Sequence, residues 1–239
     1  MNVLLAGESW QELSMVVKAQ DVSLSSSYVE AGEHLIAALE HAGAAVTYQP
    51  AHVAHESFPR TPEAFAEFDL VLLSDIGAQS LLLTPEVKAG QTDADRLDAL
   101  ADYVADGGAV GMVGGYTSFA GKHGQAGYAR TPLAEILPVE IAHHDDRIES
   151  PAGVIPRNEG IDALPTEWPA VLGYNRVTAD DDADVLATVD GDPLLVVGEH
   201  GDGNAVAYTS DCAPHWAPTE FLEWEGFPTL WEAILSRVA

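Results

Sequence analysis

Short apolar segments alternate with helix signals through the first half of the chain, and this alternation limits the possible folds more than any other feature. Each segment is rich in Val, Leu and Ala, as expected of buried strands. Strands separated by helices pair in parallel, with the helices on both faces of the sheet. The sequence therefore predicts an α/β fold with a doubly wound, mainly parallel sheet, whose first four strands are residues 2–6, 44–48, 69–74 and 109–113.

Three helices are predicted between these strands from their capping residues. Ser27 and Glu30 form a capping box that opens an amphipathic helix, and Gly43 ends it. Thr61 is an N-cap followed by proline at the first helical position. A third helix is expected over residues 92–106, with two glycines after it.

The second half of the chain has weaker patterns. Residues 114–130 form a glycine-rich loop that is too long for a simple connection. Two later apolar segments, residues 194–199 and 205–210, flank a glycine turn and predict an antiparallel hairpin. A helix interrupted by a glycine and a proline is expected over residues 224–238. Since no internal repeat is visible, we expect one domain over residues 1–239.

The composition is strongly acidic. Ten Lys and Arg stand against 38 Asp and Glu, a formal net charge of −28, and the acidic residues are spread along the chain. Such a surface repels phosphate, which argues against nucleic acid and membrane surfaces as partners. Two explanations of the excess remain open: an acidic face that binds a basic partner, and adaptation to concentrated salt, where the charges are screened. Dispersed acid with few lysines favours the second, which predicts a halophilic protein that loses stability in dilute buffer.

Cysteine content and the first residues bear on location. The single cysteine, Cys212, excludes an intrachain disulfide and a zinc site made of several cysteines. The first ten residues lack the basic region of a signal peptide, and no apolar stretch is long enough to cross a bilayer. We therefore expect a cytoplasmic protein, without a cofactor.

Polar and aromatic side chains follow each of the predicted parallel strands. In sheets of this kind ligands bind beyond the carboxyl ends of the strands, so these side chains would meet at one edge. Taken singly, each is more often a helix cap or a turn residue, but their recurrence at five strand ends favours a site. The segments concerned are residues 8–10, His52, residues 74–75, residues 114–119 and residues 210–216.

Six short motifs are spread over the whole chain. They are GESW at residues 7–10, SDIG at 74–77, GGYTSF at 114–119, DDRIE at 145–149, LGYN at 172–175 and SDCAPHW at 210–216. Together they resemble the motifs of the class I glutamine amidotransferase-like family. The resemblance implies a flavodoxin-like fold of that superfamily. It implies less about activity, because one fold supports many functions.

Glutaminases of this superfamily carry a cysteine nucleophile in a sharp G-x-C-x-G turn after a central strand, where backbone N–H groups stabilise the oxyanion. The corresponding turn here begins Gly114-Gly115 and contains no cysteine. We therefore expect the sharpest bend of the site to lack a reactive side chain and the standard glutaminase mechanism to be absent. Ser118 is the nearest substitute, although it lies late in the motif and needs a base.

The SDCAPHW motif holds the strongest candidates for proton transfer. His215 follows a proline that restricts its backbone, and Asp211 is near enough in sequence to orient its ring. Cys212 lies between them, but lone cysteines are usually buried small hydrophobic residues. The region is also similar to trehalose-utilisation-type members of the superfamily, in which a G-x-G hairpin precedes a late histidine. The predicted catalytic residues are His215, Asp211, Glu8, Asp75, Ser118 and Cys212, the first four for acid–base chemistry.

The remaining motif residues predict a pocket for a small polar molecule such as a sugar, with aromatic walls. Arg147, flanked by acidic residues, is a candidate either for an ion pair with Asp146 or Glu149 or for binding a substrate carboxylate. His143 and His144 are adjacent and their side chains should diverge, so no metal site is predicted there. The predicted ligand-binding residues are Ser9, Trp10, His52, Ser74, Gly114, Gly115, Tyr116, Phe119, Arg147, Asn175 and Trp216.

Three functions remain open on the sequence. The first is an enzyme, or a degenerate enzyme, that acts on a small polar substrate. The second is a non-catalytic module that binds or senses a small ligand in the same pocket. The third is an interaction protein that uses its Trp-rich C-terminal helix as a dimer surface. We also expect the chain to form a homo-oligomer.

Overall fold

A computed structural model describes residues 1–238. The strands, in chain order, are β1 (Asn2–Gly7), β2 (Ser9–Lys18), β3 (Asp21–Glu30), β4 (Ala45–Pro50), β5 (Leu70–Ser74), β6 (Ala109–Val113), β7 (Val139–Glu140), β8 (Arg147–Val154), β9 (Pro156–Asn158), β10 (Val171–Asn175), β11 (Thr178–Ala179), β12 (Asp184–Val189), β13 (Asp192–His200) and β14 (Gly203–Tyr208).

Most of the α-helices are short and lie between the strands of the sheet. They are α1 (Glu33–His41), α2 (Ala51–Ser57), α3 (Pro62–Phe65), α4 (Ala78–Leu82), α5 (Pro85–Lys88), α6 (Arg96–Ala105), α7 (Leu133–Ile136), α8 (Thr219–Leu222) and α9 (Gly226–Val238). Two 3₁₀ turns cover Lys122–Gly124 and Tyr128–Arg130. Within residues 1–238, no helix combines the length and the apolar character that crossing a bilayer requires.

Eight strands form the central sheet, in the order β4-β1-β5-β6-β14-β13-β12-β9. The first five pair in parallel. Counted along the chain, these five have the 2-1-3-4-5 order of flavodoxin-like folds. The last three pair antiparallel and extend the sheet on one side. The predicted α/β fold, with a mainly parallel sheet and a late antiparallel hairpin, is confirmed.

Both faces of the sheet are covered by helices. Alternate residues of β1 point to opposite faces, so Val3 and Leu5 pack in a cluster with α1 and α9, whereas Leu4 and Ala6 pack in a second cluster with α2 and α6. Because both faces of this strand are buried, its sequence is continuously apolar and does not alternate.

Residues 9–30 correct the sequence prediction. Strands β2 and β3 form a two-stranded antiparallel ribbon, which we call the arm. The capping box predicted at Ser27 and Glu30 is therefore wrong, and α1 begins only at Glu33. The Ser-x-x-Glu spacing is a short motif, and the alternation of apolar residues with serine around it is that of a strand with one polar face.

Other helix boundaries differ less. Helix α6 begins four residues later than predicted, where the Asp95 carboxylate accepts hydrogen bonds from two backbone N–H groups. Helix α9 runs unbroken from Gly226, because its proline lies in the first turn, where a missing N–H costs little. The cap at Thr61 is confirmed, since its hydroxyl accepts a hydrogen bond from the helix.

The C-terminal helix packs inward. Phe227, Leu230 and Trp231 are at most 2% exposed and lie in the cluster between α1 and the sheet. These residues cannot serve a partner without unfolding the core. The hypothesis that the Trp-rich helix is a dimer surface is therefore wrong for its buried face.

Candidate functional site

The carboxyl ends of β4, β1, β5, β6 and β14 lie along one edge of the sheet, because these strands are parallel. Each of the five segments singled out in the sequence therefore begins at this edge, although Ser9, Trp10 and His52 lie at the root of the arm and not beside the other groups. The chain leaves β1 toward one side of the sheet and leaves β5 toward the other. Such a switch point is where flavodoxin-like folds bind ligands. Glu8 and Asp75 directly follow these two strands.

Glu8 and Asp75 both have left-handed backbone conformations, with φ of 44° and 41°. This region is costly for residues that carry a Cβ and is concentrated at functional sites. The bend at Glu8 is held by its N–H, which donates to the Ser74 carbonyl at 2.7 Å. Two left-handed bends at this edge thus carry carboxyl groups. The expectation of a bend without a reactive side chain holds only for the Gly114-Gly115 turn.

The Glu8 carboxyl is buried in a polar cluster, with 1% exposure. The Ser74 hydroxyl donates to Glu8 Oε2, and the Cys212 thiol lies 3.6 Å from the same oxygen. Burial raises the pKa of Glu8 well above its usual range, and the negative charges of Asp211 and Asp75 raise it further. Glu8 therefore retains its proton at pH values where an exposed glutamate has lost it.

Cys212 is the only cysteine of the chain, and its side chain is fully buried. Its Sγ lies 3.4 Å from the Ser74 hydroxyl and within hydrogen-bond reach of Glu8. Burial and the neighbouring Glu8 and Asp211 charges raise the pKa of the Cys212 thiol well above its usual value. A thiol in this state is protonated at neutral pH and is a poor nucleophile.

Asp211 and His215 form a neighbouring pair on one turn. Asp211 Oδ1 accepts hydrogen bonds from the backbone N–H groups of Cys212 and Ala213, at 2.7 and 3.0 Å. Its Oδ2 lies 3.6 Å from His215 Nδ1. Burial, together with the charge of Asp75, raises the pKa of Asp211 well above its usual range.

His215 is the most open of the predicted proton-transfer groups, with 37% of its side chain exposed. Partial burial lowers the pKa of its ring below the usual 6.5, against the opposite effect of the carboxylates of Glu149 and Asp75. The imidazole is therefore neutral at pH 7 and available as a base.

Asp75 is half-buried, and its Oδ1 is fixed by the next turn along the edge. Thr117 donates to this oxygen through its N–H, at 2.6 Å, and through its hydroxyl, at 2.9 Å. The Ser118 hydroxyl accepts from the Asp75 N–H at 3.2 Å and donates to the Val113 carbonyl at 2.6 Å. Ser118 is 1% exposed. Its hydroxyl therefore holds the two turns together, and we do not carry it forward as a nucleophile.

An aromatic and charged wall stands beside His215. The Tyr116 ring packs edge-on against the His215 ring at 4.3 Å between centroids, and the Trp216 ring stacks on His215 at 5.4 Å. The Arg147 guanidinium lies over Tyr116 at 4.6 Å from the ring centroid. Trp216 itself is fully buried, and its Nε1–H donates to Glu149 Oε2 at 3.1 Å. Tyr116, His215 and Arg147 thus face the edge, with Trp216 behind them.

The planar fork of Arg147 is already occupied. It donates to both oxygens of Asp145, at 3.0 and 2.8 Å, and its remaining terminal nitrogen lies 3.5 Å from Glu149. The hydrogen bonds from Arg147 hold the pKa of Asp145 well below its usual range. A bidentate contact with a substrate carboxylate, as the sequence suggested, would first have to break the pair with Asp145.

The Asn175 side chain hydrogen-bonds the backbone of the Gly114-Gly115 turn and so holds it in place. Its Oδ1 accepts from the Gly115 N–H at 2.9 Å, and its Nδ2 donates to the Gly115 carbonyl at 3.2 Å and to Asp146 at 2.8 Å. Asn175 is fully buried, so it shapes the site without facing it. Gly114 is required here because a Cβ would collide with the Thr209 carbonyl.

Sequence reasoning did not single out two important groups, Asp146 and Glu149. Asp146 accepts from Asn175 and from the N–H groups of Ala120 and Gly121, both at 2.9 Å, so it anchors the glycine-rich loop. Glu149 connects Trp216 to Arg147. Both lie in the DDRIE motif, from which Arg147 alone is predicted as a site residue.

The other predicted residues lie elsewhere. Ser9, Trp10 and His52 lie at the root of the arm, around a cavity of about 390 Å³ that Gln11, Tyr28 and Ala51 also line. The Ser9 hydroxyl accepts a hydrogen bond from the N–H of Ala51, the first residue of α2. Phe119 is fully buried in the core and does not line a pocket. A larger cavity of about 620 Å³ lies at the opposite end of the parallel strands, near Met1 and Gly107, far from these groups.

Glu8, Asp211 and Cys212 place one potential metal ligand each within 4.8 Å of one another. All three have raised pKa values and are tied by hydrogen bonds to Ser74, to each other or to backbone N–H groups. Binding of a cation here would have to displace their protons and the hydrogen bonds that the three side chains make within the protein.

Comparison with known proteins places the chain in a family. Residues 2–239 match the family described as "Putative glutamine amidotransferase". The solved cytoplasmic proteins STM3548 of Salmonella typhimurium and STM1381 of Salmonella typhimurium LT2 are 36% and 39% identical, each with a TM-score of 0.96. The alignments cover 100% of this chain and 99% and 100% of theirs.

More distant matches inform on the fold alone. A protein described as "Putative thua-like protein", from Bacteroides uniformis ATCC 8492, is 12% identical with a TM-score of 0.52, over 98% of this chain and 89% of that one. No curated protein sequence is significantly similar. With its flavodoxin-like strand order and its full-length match, this chain belongs to the glutamine amidotransferase-like family.

Proposed function

We propose that the protein binds a small polar molecule at the carboxyl edge of the sheet and transfers protons to and from it, without cysteine-dependent glutaminase activity. One observation carries the proposal. The lone thiol is sealed behind the edge with a raised pKa, whereas the neutral His215 imidazole stands open beside Asp75 and Tyr116.

His215 is the group we propose as base. Its Nδ1 faces Asp211 Oδ2, which orients the ring and leaves Nε2 for the bound molecule. When the imidazole takes up a proton, the carboxylates of Glu149 and Asp75 stabilise the new positive charge. Behind it, Glu8 and Asp211 hold a proton because their carboxyls are buried close to one another and to Asp75. The His215 imidazole can take a proton from the bound molecule and return it, so this one group supplies both the base and the acid at neutral pH.

The charges at the edge select the ligand class. The carboxylates of Asp75, Glu149 and Asp145 lie around Tyr116 and His215. Two cations, Lys122 and Arg147, lie over the Tyr116 ring, and the fork of Arg147 is held by Asp145. An anionic substrate would meet net negative potential here. A neutral or cationic molecule with several hydroxyl or amino groups, such as a sugar or an amino sugar, fits the aromatic face of Tyr116 and these acceptors.

The first experiment is a thermal-shift screen in molar KCl with neutral sugars, amino sugars, polyols, amino acids and organic anions. We expect stabilisation by a neutral or cationic polyhydroxyl compound, equally in the wild type and in Cys212→Ala. Ammonia release from glutamine is measured in parallel and is expected to be absent. Glutamine hydrolysis that disappears in Cys212→Ala would contradict the proposal.

A second candidate, a non-catalytic binding module, is favoured by one observation: Glu8 and Asp211 are only 1% and 3% exposed, so neither reaches a ligand directly. His215→Gln separates the two. In an enzyme, it abolishes conversion of the identified compound and retains binding, whereas His200→Gln, at the far end of β13, retains both. Binding without conversion in the wild type would identify the module.

We also propose a cytoplasmic location. The sequence predicts it, and the two Salmonella relatives are named as cytoplasmic proteins.

A further inference from the structure

The arm exposes an apolar face that no other part of residues 1–238 covers. In the register of β2 and β3, directly opposed residues share a face. One face carries the pairs Leu13–Ser26, Met15–Leu24 and Val17–Val22, with Gln11–Tyr28 at the root. The apolar members of these pairs are 48–78% exposed: Leu13, Met15, Val17, Val22, Leu24 and Tyr28.

The opposite face of the arm is polar over most of its length. It carries the pairs Glu12–Ser27, Ser14–Ser25, Val16–Ser23 and Lys18–Asp21. Three of the four charged residues of the two strands, Glu12, Lys18 and Asp21, lie on this face. The fourth, Glu30, lies at the root, opposite Ser9, and the apolar face beyond it carries no charged residue. Each strand has ten residues, so the arm extends about 30 Å.

A free two-stranded ribbon is marginally stable in water and needs a partner for its apolar face. The two Salmonella relatives superpose with a TM-score of 0.96 over the whole chain. A superposition that missed the arm, about a tenth of the chain, could not reach that score. The arm therefore has the same place in three related proteins, as expected of a segment held by an interface.

We infer that the apolar face of the arm packs against the same face of a second copy of this chain, across a two-fold axis. We choose a second copy as the occupant because the apolar face of the arm is complementary to itself. Of the nine large hydrophobic side chains exposed in residues 1–238, seven lie on the arm, and the other two are the separate residues Leu83 and Ile155. The body of another copy therefore offers no comparable apolar surface, whereas its arm does.

The distribution of charge on the molecule also favours a second copy as the occupant. Two copies with a formal net charge of −28 each repel one another over most of their surfaces. A face without charged residues, at the end of a projecting ribbon, lets two copies join while their bodies remain apart. The same net charge disfavours an anionic membrane surface as the occupant. Two faces packed in this way would lie about 10 Å apart, as in other sheet sandwiches.

The register supplies a matched pair of variants for the test. Met15→Glu/Leu24→Glu places two carboxylates directly opposite each other on the apolar face, and Ser14→Glu/Ser25→Glu does the same on the polar face. We expect the wild type and the serine double variant to sediment as dimers in molar KCl. The Met15/Leu24 double variant should be monomeric, with a dissociation constant raised about 100-fold or more.

Cross-linking of single-cysteine variants is a second test. Its result does not depend on whether the two glutamate double variants fold. The only native cysteine is buried, so Met15→Cys and Ser14→Cys each add one reactive thiol. A bis-maleimide of about 10 Å reach should join two copies through Met15→Cys and not through Ser14→Cys. Equal cross-linking of both, a monomeric wild type, or an unchanged mass of the Met15/Leu24 double variant would overturn the inference. A monomeric wild type that floats with zwitterionic lipid vesicles would overturn it and identify a lipid surface as the occupant.

Discussion

Single residues at the carboxyl edge differ chiefly in how far water reaches them. Glu8, Asp211 and Cys212 are adjacent to the site but sealed, and their pKa values are raised for that reason. His215 and Asp75 keep access to solvent. The sequence predicts all five as catalytic residues, four of them for acid–base chemistry and Cys212 as a nucleophile. In the structure they divide into a buried network and a more open pair.

Glu8→Gln tests the buried network through stability. A carboxyl whose pKa is raised on folding binds a proton in the folded state that it lacks in the unfolded state. Its contribution is therefore intact below the unfolded pKa, near 4.5, and is lost as pH rises toward the higher folded pKa. The neutral amide avoids this loss. The free energy of unfolding of Glu8→Gln, minus that of the wild type, should therefore be higher at pH 8 than at pH 5, by on the order of 1 kcal/mol.

Chemical denaturation at the two pH values measures this difference. Glu40→Gln, an exposed position on α1, removes the same charge and should show no such pH-dependent gain. If Glu8→Gln is less stable than the wild type by an equal amount at both pH values, Glu8 is ionised in the folded protein.

At the scale of elements, the site depends on loops held from beneath by buried polar side chains. Asn175, at the end of β10, fixes both backbone groups of Gly115 and one oxygen of Asp146. The small strand pair β8–β10, which carries Asn175, thus supports the edge where the ligand is proposed to bind. Its strands have weak sequence patterns because they are short and partly exposed.

Asn175→Ala should loosen this support. It leaves the buried Gly115 N–H unpaired and takes a donor from Asp146, a loss of about 2–4 kcal/mol in unfolding free energy. Hydrogen exchange should rise at residues 114–121 more than in the neighbouring β6. The matched variant is Asn158→Ala, which removes a clamp of similar hydrogen bonding on β9. A similar rise at residues 114–121 in both variants would mean that the effect is global.

At the scale of the whole molecule, the charge remains the dominant feature. Thirty-eight acidic residues on 239 repel one another in the folded state, and salt screens this repulsion. We expect the Tm to rise by more than 10 °C between 10 mM and 2 M KCl. Scanning calorimetry with an equal osmolality of sucrose as the control separates screening from general exclusion of solute. An unchanged Tm would exclude adaptation to salt.

Local sequence patterns were sufficient for the parallel strands, their order of appearance and the polar residues that follow them. Strand and helix periods are read within a few residues, and parallel connections leave few arrangements of the sheet. The capping box predicts a helix from residue 27, which is wrong for the last four residues of the arm. The period-two alternation of Met15 with Val17 and of Val22 with Leu24 is the pattern that indicates its two strands. The interface that we propose for the arm involves a second chain, so the packing of a single chain does not reveal it.

The protonation and exposure of the site residues came only from the packed chain. Glu8 and Cys212 are 204 positions apart, and their contact exists because β1 and β14 end at one edge. Whether a side chain there is open or sealed depends on neighbours from four other segments. A local pattern carries no information on those neighbours, since desolvation is a property of the assembled surroundings.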